Sequence, residues 1–240
     1  MGWSMRVVAR REQSEEGTLT DLAYRQLRRD IISGALAPGS PLRLEALRTR
    51  YDLSFSPLRE ALNRLHSERL AVAAPLKGFS VAPISLSEMW DAVEVRILIE
   101  TDALERAITR GGDDWEAEIV GAFHALNLQS ARLKTMPHPY EAQAVEAMEG
   151  RHFEFHMALL SACGSRRLLE LARQFQAETQ RYRQPSLIGK SSAQTERDVV
   201  AEHQAIMAAT LARRGDQAVS LLAEHYRRTA TIVEAGLTRD

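Results

Sequence analysis

Apolar positions recur at helical spacing near the start of the chain and predict a first helix. The stripe consists of Leu19, Leu22, Ala23, Leu27 and Ile31. These residues share one helix face, and we expect the helix to begin after Thr18 or Thr20 and to reach about Ser33. Gly34 follows, where a left-handed residue commonly ends a helix. The sequence Ala37-Pro38-Gly39 then predicts a tight turn.

Two more helices and a hairpin are predicted before residue 84. A short helix is expected over 44–51, and a longer one starts at Ser56-Pro57 and ends near Arg69, with serine as N-cap and proline at the first helical position. Its inward stripe is Leu58, Ala61, Leu62 and Leu65. Strand-like runs at 70–73 and 79–81 flank a turn over 75–78. This order of elements is that of a winged helix-turn-helix, which places one helix in the DNA major groove.

From Ser85 onward the pattern is helical, without a strand signal. Ser85 and Glu88 have the spacing of a capping box, and the helix that they start is expected to stop at Gly111-Gly112. Five further helices are predicted at about 113–134, 140–162, 166–184, 195–213 and 216–235, with a loop at 185–192. Six helices in this length predict an antiparallel bundle. The chain is thus mainly α, with a DNA-binding domain over 18–83 and an all-helical domain over 84–240.

Composition adds limits on class and location. The 240 residues are 45% hydrophobic and 26% charged, and no apolar run approaches the ~20 residues of a membrane helix. Residues 1–17 lack the apolar segment of a secretory signal, and we predict a flexible extension there. Cys163 is the one cysteine. It allows no internal disulfide and is predicted to be buried, which favours a reducing, cytoplasmic location.

Charge is divided unevenly between the two predicted domains. Residues 1–82 carry 13 basic and 9 acidic side chains, a charge of +4, and the remainder carries −5, for a net charge of −1. A basic head on an acidic remainder is typical of a protein whose head binds a polyanion, although asymmetry of this size is common.

The predicted third helix carries polar groups on one outward edge. Ser56 stands at its start, followed by Arg59, Asn63 and His66. Arginine binds guanine edges or phosphates, and asparagine binds adenine edges. A solvated surface would have the same composition, so the pattern alone leaves both interpretations open. Lys77 and Gly78 lie in the hairpin turn, where a wing would meet phosphates.

Four of the seven histidines fall on apolar faces of late helices. His152 and His156 are four residues apart, His203 lies among Val199, Val200, Ile206 and Met207, and His225 shares a stripe with Leu221, Leu222 and Ile232. Each alone is more often a hydrogen-bonded core histidine. Four together on inward faces predict a divalent-metal site, and imidazole ligands favour zinc or nickel. His66, His124 and His138 show no such pattern and are predicted to lie at the surface or in loops.

The first 83 residues resemble the GntR family of bacterial regulators. The matches are Leu27, Ile31, Gly34, Leu36, Pro38 and Gly39, then Ser56 to Leu62 with Arg64 and Leu65, and finally Gly78, Phe79 and Val81. The resemblance implies DNA contacts by Arg59, Asn63, Arg64 and Lys77, and phosphate contacts by Arg48 and Arg50. Many members have an arginine just before the Ser/Thr-Pro pair. Phe55 stands there in this chain, so a contact made by that arginine in relatives is not implied here.

The remainder resembles the FCD effector domain of the FadR-type subfamily. The resemblance rests on Asp91, Glu94, Arg96 and Glu100, on the block from Phe155 to Leu159, on the block from Glu202 to Ile206, and on His225. It implies homodimers that bind a palindromic operator and small carboxylate effectors bound at a metal. Metal-binding relatives have an aspartate where this chain has His152. This histidine either completes a four-histidine site or points away and leaves three.

Arg96 is the candidate residue for binding the effector. Its guanidinium could bind a carboxylate through two hydrogen bonds, or it could pair with a neighbouring glutamate. Arg181, Tyr182 and Arg183 belong either to the pocket or to the surface. The residue pattern from His152 to Ser165 is similar to that of family members that respond to short dicarboxylates such as glutarate.

Two other functions fit parts of the pattern. A metal-dependent hydrolase would use three histidines with an open position. It lacks a placed base, because Glu202 is expected to face outward and neither Glu149 nor Glu154 has supporting spacing. An architectural DNA-binding protein would leave the buried polar set unused. The sequence favours a metabolite-responsive transcriptional regulator, with repression as the expected direction of control.

Overall fold

A computed structural model describes residues 18–137, 140–188 and 197–238, with side chains left undescribed at 142 and 184–188. The predicted N-terminal extension and His138 lie outside these residues. The chain divides into two compact units between Ile84 and Ser85. Each unit has its own fold and is described separately.

The N-terminal unit is built on three helices: α1 (Leu19–Ile32), α2 (Leu44–Tyr51) and α3 (Phe55–Ser67). A capping box starts α1, because Thr18 Oγ1 accepts a hydrogen bond from the Asp21 N–H at 3.2 Å and the Asp21 carboxylate accepts one from the Thr18 N–H at 3.2 Å. The predicted inward stripe of α3 is completely buried and packs on Ala23 and Leu27 of α1. Apolar spacing alone therefore predicts these helices.

A small antiparallel sheet completes this unit. Its strands are β1 (Pro41–Leu42), β2 (Ala71–Ala74) and β3 (Gly78–Val81), in the order β1-β3-β2. The β2–β3 hairpin is the predicted wing, and Gly78 adopts a φ of +76° at its turn. The sequence did not predict β1, because two residues are too few to show the alternation of a strand.

The start of α3 corrects one prediction. Ser54 occupies the N-cap position with extended backbone, and the helix begins at Phe55, so Ser56 is not the cap. Pro57 therefore lies at the third helical position. Proline is tolerated there because the first N–H groups of a helix have no partner within the helix. The Ser56 hydroxyl donates to Glu60 at 3.2 Å instead.

The C-terminal unit is a helical bundle. Its helices are α4 (Leu86–Arg110), α5 (Asp113–Lys134), α6 (Ala142–Leu160), α7 (Arg166–Ile188), α8 (Val199–Leu211) and α9 (Gly215–Leu237), with a 3₁₀ turn at Ser161–Cys163. α4 packs against α7 and α9, α5 against α6, and α8 against α9. Cys163 is buried, as predicted. Ser85 Oγ accepts from the Glu88 N–H at 3.3 Å, which is one of the two bonds of a capping box.

The predicted loop at 185–192 is wrong in its first half, because α7 continues to Ile188. We had placed the end of the helix before Pro185. A proline removes one hydrogen bond and crowds the preceding turn, but near a helix end this does not require the helix to stop. Residues 189–192 lie outside the described part of the chain. Among the described helices, none has both the length and the apolar character needed to cross a membrane.

Candidate functional site

Four histidines converge inside the C-terminal unit. α6 supplies His152 and His156, α8 supplies His203, and α9 supplies His225. Each histidine contributes one ring nitrogen to the cluster, and these four nitrogens all lie within 4.8 Å of one another. All four side chains are buried. His152 therefore points into the cluster and not away from it, which was the alternative that the sequence left open.

The helical repeat explains this convergence. His152 and His156 are one turn apart, and their ring centroids are 4.4 Å apart. His203 and His225 come from different helices, yet their centroids are separated by only 4.6 Å. Residues on the buried stripes of packed helices point into one interior, so the stripes bring distant sequence positions together.

A hydrogen-bond chain fixes the tautomer of His156. The Tyr226 hydroxyl donates to the Glu100 carboxylate, and its oxygen lies 2.8 Å from His156 Nδ1. Because the hydroxyl proton is used by Glu100, His156 Nδ1 carries a proton and donates it to Tyr226. The lone pair of His156 is consequently on Nε2, the nitrogen available to a metal.

A second carboxylate orients His225. Glu202 Oε2 lies 2.8 Å from His225 Nδ1, which leaves Nε2 as the lone-pair nitrogen. Arg197 holds this carboxylate through bonds of 2.8 and 2.5 Å and also donates to Thr229 Oγ1 at 3.0 Å. The expectation that Glu202 faces outward is wrong: it lies in the first turn of α8, where its side chain reaches across to α9.

Burial keeps the four imidazoles neutral. Desolvation lowers the pKa of His152, His156 and His203 well below the ordinary value, and the positive charge of Arg183 lowers that of His152 further. Desolvation lowers the pKa of His225 to about 4, although Glu202 opposes the shift. For Glu202, partial burial would raise the pKa, but hydrogen bonds from Arg197 and His225 outweigh it and hold the pKa far below its usual range. At neutral pH each histidine therefore offers a lone pair.

The donor set fits a divalent metal ion. Nε2 of His156 and Nε2 of His203 are buried and have no hydrogen-bond partner within the described residues. Buried nitrogens without a partner are costly, and a metal ion among them would satisfy all at once. Four neutral imidazoles match zinc or nickel better than manganese or magnesium, which prefer oxygen ligands.

Arg96 lies beside this cluster and forms an ion pair. Its Nε donates to Glu100 at 2.7 Å and its Nη1 donates to Thr179 Oγ1 at 2.9 Å. The guanidinium carbon lies 4.0 Å from the centroid of the Tyr226 ring. Nη2 is buried and has no partner among the described residues. The glutamate pairing is thus present, and one donor of the guanidinium is still available to a ligand.

Two neighbouring basic residues also have partners within the protein; Arg181 is buried and Arg183 is partly buried. Arg183 is bonded to the buried carboxylate of Glu149, with Nε at 3.2 Å from Oε1. Arg181 donates to the hydroxyl of Tyr182 at 2.9 Å. Glu154 is exposed and pairs with Arg151 at 2.7 Å. Every carboxylate that we had considered as a hydrolytic base is therefore engaged by an arginine.

In the N-terminal unit, α3 presents an exposed polar edge. Arg59 and Asn63 are exposed one turn apart, and Ser56 is exposed at the start of this edge. Lys77 and Gly78 are exposed in the wing turn. His66 is exposed too, and its Nδ1 lies 3.0 Å from the carbonyl oxygen of Ala71. Five of the eight candidate DNA contacts are therefore exposed: Ser56, Arg59, Asn63, Lys77 and Gly78. The three remaining candidates are arginines that pair with carboxylates of the protein.

Arg50 forms an ion pair with a carboxylate of the protein. Its Nε and Nη2 donate to the buried carboxylate of Asp30 at 3.0 and 2.7 Å, and the Tyr51 hydroxyl donates to the same carboxylate at 2.9 Å. A phosphate contact by Arg50 would compete with this carboxylate.

Arg64 and Arg48 also have intramolecular partners. The Arg64 guanidinium lies 3.7 Å from the centroid of the Tyr24 ring and pairs with Asp21 and Glu68 at 3.4 Å each. Arg48 pairs with Glu45 at 3.2 Å, at the surface. Exposed pairs of this kind are weak, so both arginines can exchange a carboxylate for a phosphate at little cost.

Sequence reasoning missed the residues that orient the histidines. Tyr226, Glu100 and Arg197 carried no motif that points to a metal. The signal that existed was adjacency: Glu202 precedes His203 and Tyr226 follows His225. Adjacent helical residues point about 100° apart, which is why we had expected Glu202 to face outward.

Comparison with known proteins gives matches to both units. The family model described as "Bacterial regulatory proteins, gntR family" matches residues 19–81, and the model described as "FCD domain" matches residues 91–228. Together they span most of the chain.

Individual relatives match over nearly their full length. The HTH-type transcriptional regulator BphR of Paraburkholderia xenovorans is 34% identical over 92% of this chain and 88% of its own. The HTH-type transcriptional repressor GlaR of Escherichia coli is 32% identical over 92% of this chain and 98% of its own. Among solved structures, E. coli McbR/YncC matches with a TM-score of 0.73 and 21% identity, over 92% of this chain and 99% of that chain. This last likeness concerns the fold alone.

Proposed function

The chain belongs to the GntR family of bacterial regulatory proteins and carries a C-terminal FCD domain, and from this premise we propose that it is a metabolite-responsive repressor whose operator binding is controlled by a carboxylate at a metal site. The family and the relatives are transcriptional regulators, not enzymes. We propose repression as the direction of control because GlaR, one of the relatives, is named a repressor.

The convergence of four buried, neutral imidazoles carries this proposal. A bundle that needed only an apolar interior would be more stable with leucines at these positions, because buried polar groups stabilise only when they are satisfied. Nε2 of His156 and Nε2 of His203 have no partner in the described part of the chain, which supports an ion as the missing partner. His152, His156, His203 and His225 would hold it, and zinc or nickel suits them best.

A metal ion held by these histidines would act as a Lewis acid toward a carboxylate oxygen of the effector. The residues of this chain do the remaining work. Glu202 and Tyr226 hold two of the imidazoles in the ligating tautomer. Because all four ligands are neutral, an anionic effector would partly neutralise the charge of the ion. Arg96 Nη2, which has no partner among the residues that the structure describes, would donate to the same or a second carboxylate group, as in a short dicarboxylate.

Replacing Glu202 with glutamine tests the orienting role of the carboxylate. Glutamine keeps the shape but loses the charge that favours a protonated His225 Nδ1, and we expect metal affinity to fall about 10- to 100-fold. Competition with a chromophoric chelator measures this. The matched control is Glu154→Gln on α6, whose carboxylate is exposed and pairs with Arg151. Equal affinities of the two variants would remove Glu202 from the site.

The N-terminal unit would bind a palindromic operator as part of a homodimer in the cytoplasm. Two-fold operators mirror the symmetry of dimeric helix-turn-helix proteins. We assign base contacts to α3, with Arg59 and Asn63 at its exposed edge, and phosphate contacts to the wing. The effector acts by binding two states of the C-terminal unit with different affinity, since only a differential affinity shifts an equilibrium.

Replacing Arg59 with alanine tests the assignment of α3. If Arg59 reads a base, the variant loses about 1–3 kcal/mol of operator binding, while its affinity for unrelated duplex changes much less. A gel-shift titration with both duplexes measures the ratio. Arg25→Ala on α1 is the control, because it removes the same charge from an exposed position in the same unit. An unchanged ratio in Arg59→Ala would exclude base reading by this residue.

A further inference from the structure

Phe55 is an aromatic residue that the core does not use. It is the first residue of α3 and 42% exposed, whereas Leu58, Leu62 and Leu65 of the same helix are fully buried. The helix therefore has a complete apolar stripe without Phe55. Its ring lies on another side, at the end of the helix that enters a groove in helix-turn-helix proteins.

The residues that follow Phe55 at one-turn intervals are polar and exposed. Arg59 is at i+4 and Asn63 is at i+8, so the three side chains form one stripe along α3. Arg59 and Asn63 have the chemistry for base edges. If this stripe faces a groove, Phe55 enters the groove with them.

Arg48 holds the ring in place from α2. Its guanidinium carbon lies 5.5 Å from the centroid of Phe55, which is within the range of a cation–π contact. Glu45 pairs with Arg48 from the preceding turn of the same helix. The ring is thus restrained by contacts at the surface of the unit, while two fifths of it stays open to a partner.

We propose that the Phe55 ring contacts the 5-methyl group of a thymine in the major groove of the operator. A phenyl ring neither donates nor accepts ordinary hydrogen bonds, so it gains nothing from the polar edges of guanine, cytosine or adenine. The thymine methyl is the apolar group that the major-groove edges present, and phenylalanine is among the side chains that bind it. This inference rests on the proposed role of α3 in reading DNA. It makes Phe55 a specificity-determining residue at one base pair of each half-site.

The test removes single methyl groups from the DNA. A duplex is first selected by the full-length protein from a randomised library, and each thymine is then replaced by deoxyuridine, which pairs identically but lacks the methyl. At one symmetric pair of positions we expect wild-type affinity to fall about fourfold per half-site, the factor that corresponds to ~0.8 kcal/mol for one buried carbon. Substitution in both half-sites would multiply the two factors to about 16-fold.

Protein variants then assign the effect to the ring. Phe55→Ser should bind thymine and deoxyuridine duplexes equally at that position, and Phe55→Leu should keep part of the preference. Val72→Thr is the control: Val72 is 41% exposed, like Phe55, but lies on β2. It should keep the wild-type preference.

Four outcomes separate the claims. Selection of no preferred sequence would overturn the proposed reading of DNA by α3 as well. A preferred sequence in which no deoxyuridine substitution weakens binding would overturn the methyl contact alone. A preference for thymine that persists in Phe55→Ser would assign the methyl contact to another residue. If Phe55→Ser loses affinity although the wild-type protein shows no preference for thymine over deoxyuridine, the ring is wedged between bases instead. Each of these last two results would contradict the proposed contact between Phe55 and the thymine methyl.

Discussion

Replacing His203 with alanine is expected to weaken the binding of zinc or nickel by roughly 100- to 1000-fold. Four-ligand zinc sites contribute ~10–16 kcal/mol, or about 2.5–4 kcal/mol for each ligand. His203 is buried, and its Nε2 has no partner within the described residues, so no protein group takes its place. Chelator competition and metal analysis after dialysis measure the loss.

His124→Ala is the matched control for this variant. His124 lies on α5 of the same unit and is exposed, so its loss should leave metal affinity unchanged. Melting of both variants in chelator separates the loss of a ligand from a loss of fold. Metal affinity of His203→Ala within a few-fold of wild type would contradict the four-histidine site.

Replacing Arg96 with methionine is expected to destabilise the protein by about 3–5 kcal/mol. The change leaves the Glu100 carboxylate buried without its cation, and breaking a buried pair on one side is strongly unfavourable. The side chains of Arg96 and Glu100 are 4% and 0% exposed. Urea unfolding in chelator measures the effect. All variants are compared at one protein concentration, because the proposed dimer would unfold in a concentration-dependent way.

Arg227→Met gives the comparison for Arg96. Arg227 of α9 pairs with Glu94, which lies on α4 as Arg96 does. Both side chains are about half exposed, so we expect a loss of at most about 1 kcal/mol. The double variant Arg96→Met, Glu100→Met should recover much of the stability, because the unpaired charge is removed. Equal losses in Arg96→Met and Arg227→Met would show that the buried pair is not a structural element.

Periodicity predicted most of the fold, because burial selects residues by spacing. The stripe of α3 and the boundaries of α4 and α5 follow from apolar repeats and from glycines. The same rule predicted that the histidines of three helices meet, since each lies on a buried stripe. The β1 strand and the extension of α7 through Pro185 were not predictable, because a two-residue pairing and a proline near a helix end depend on tertiary context.

The surroundings of the histidines could not be read from the sequence. Glu202 of α8 contacts His225 of α9, and Tyr226 of α9 contacts His156 of α6. Such contacts depend on the distance between helix axes and on rotamers, which the order of residues does not specify. The sequence did identify Arg96 as pairing with a glutamate or a ligand. Its burial next to Glu100 establishes the pairing.

The partners of the arginines in the N-terminal unit could not be predicted from the sequence either. Arg50, Arg59 and Arg64 look alike in the sequence, and the family resemblance implied a DNA contact for each of them. Arg50 is bonded to a buried aspartate and Arg64 lies on Tyr24, whereas Arg59 is exposed on α3. Composition cannot distinguish an arginine that supports the helices from one that is available to DNA, because both need a polar partner and differ only in where it lies.

The melting temperature of the protein with zinc or nickel, across a panel of short mono- and dicarboxylates, tests the central claim most directly. A ligand at one hundred times its dissociation constant adds about 2.7 kcal/mol, which for a chain of this size raises the melting temperature by roughly 5–10 °C. We expect such a rise with at least one carboxylate, and we expect a chelator to abolish it. No rise with any carboxylate, or a rise that the chelator leaves intact, would contradict control by a carboxylate at a histidine-bound metal.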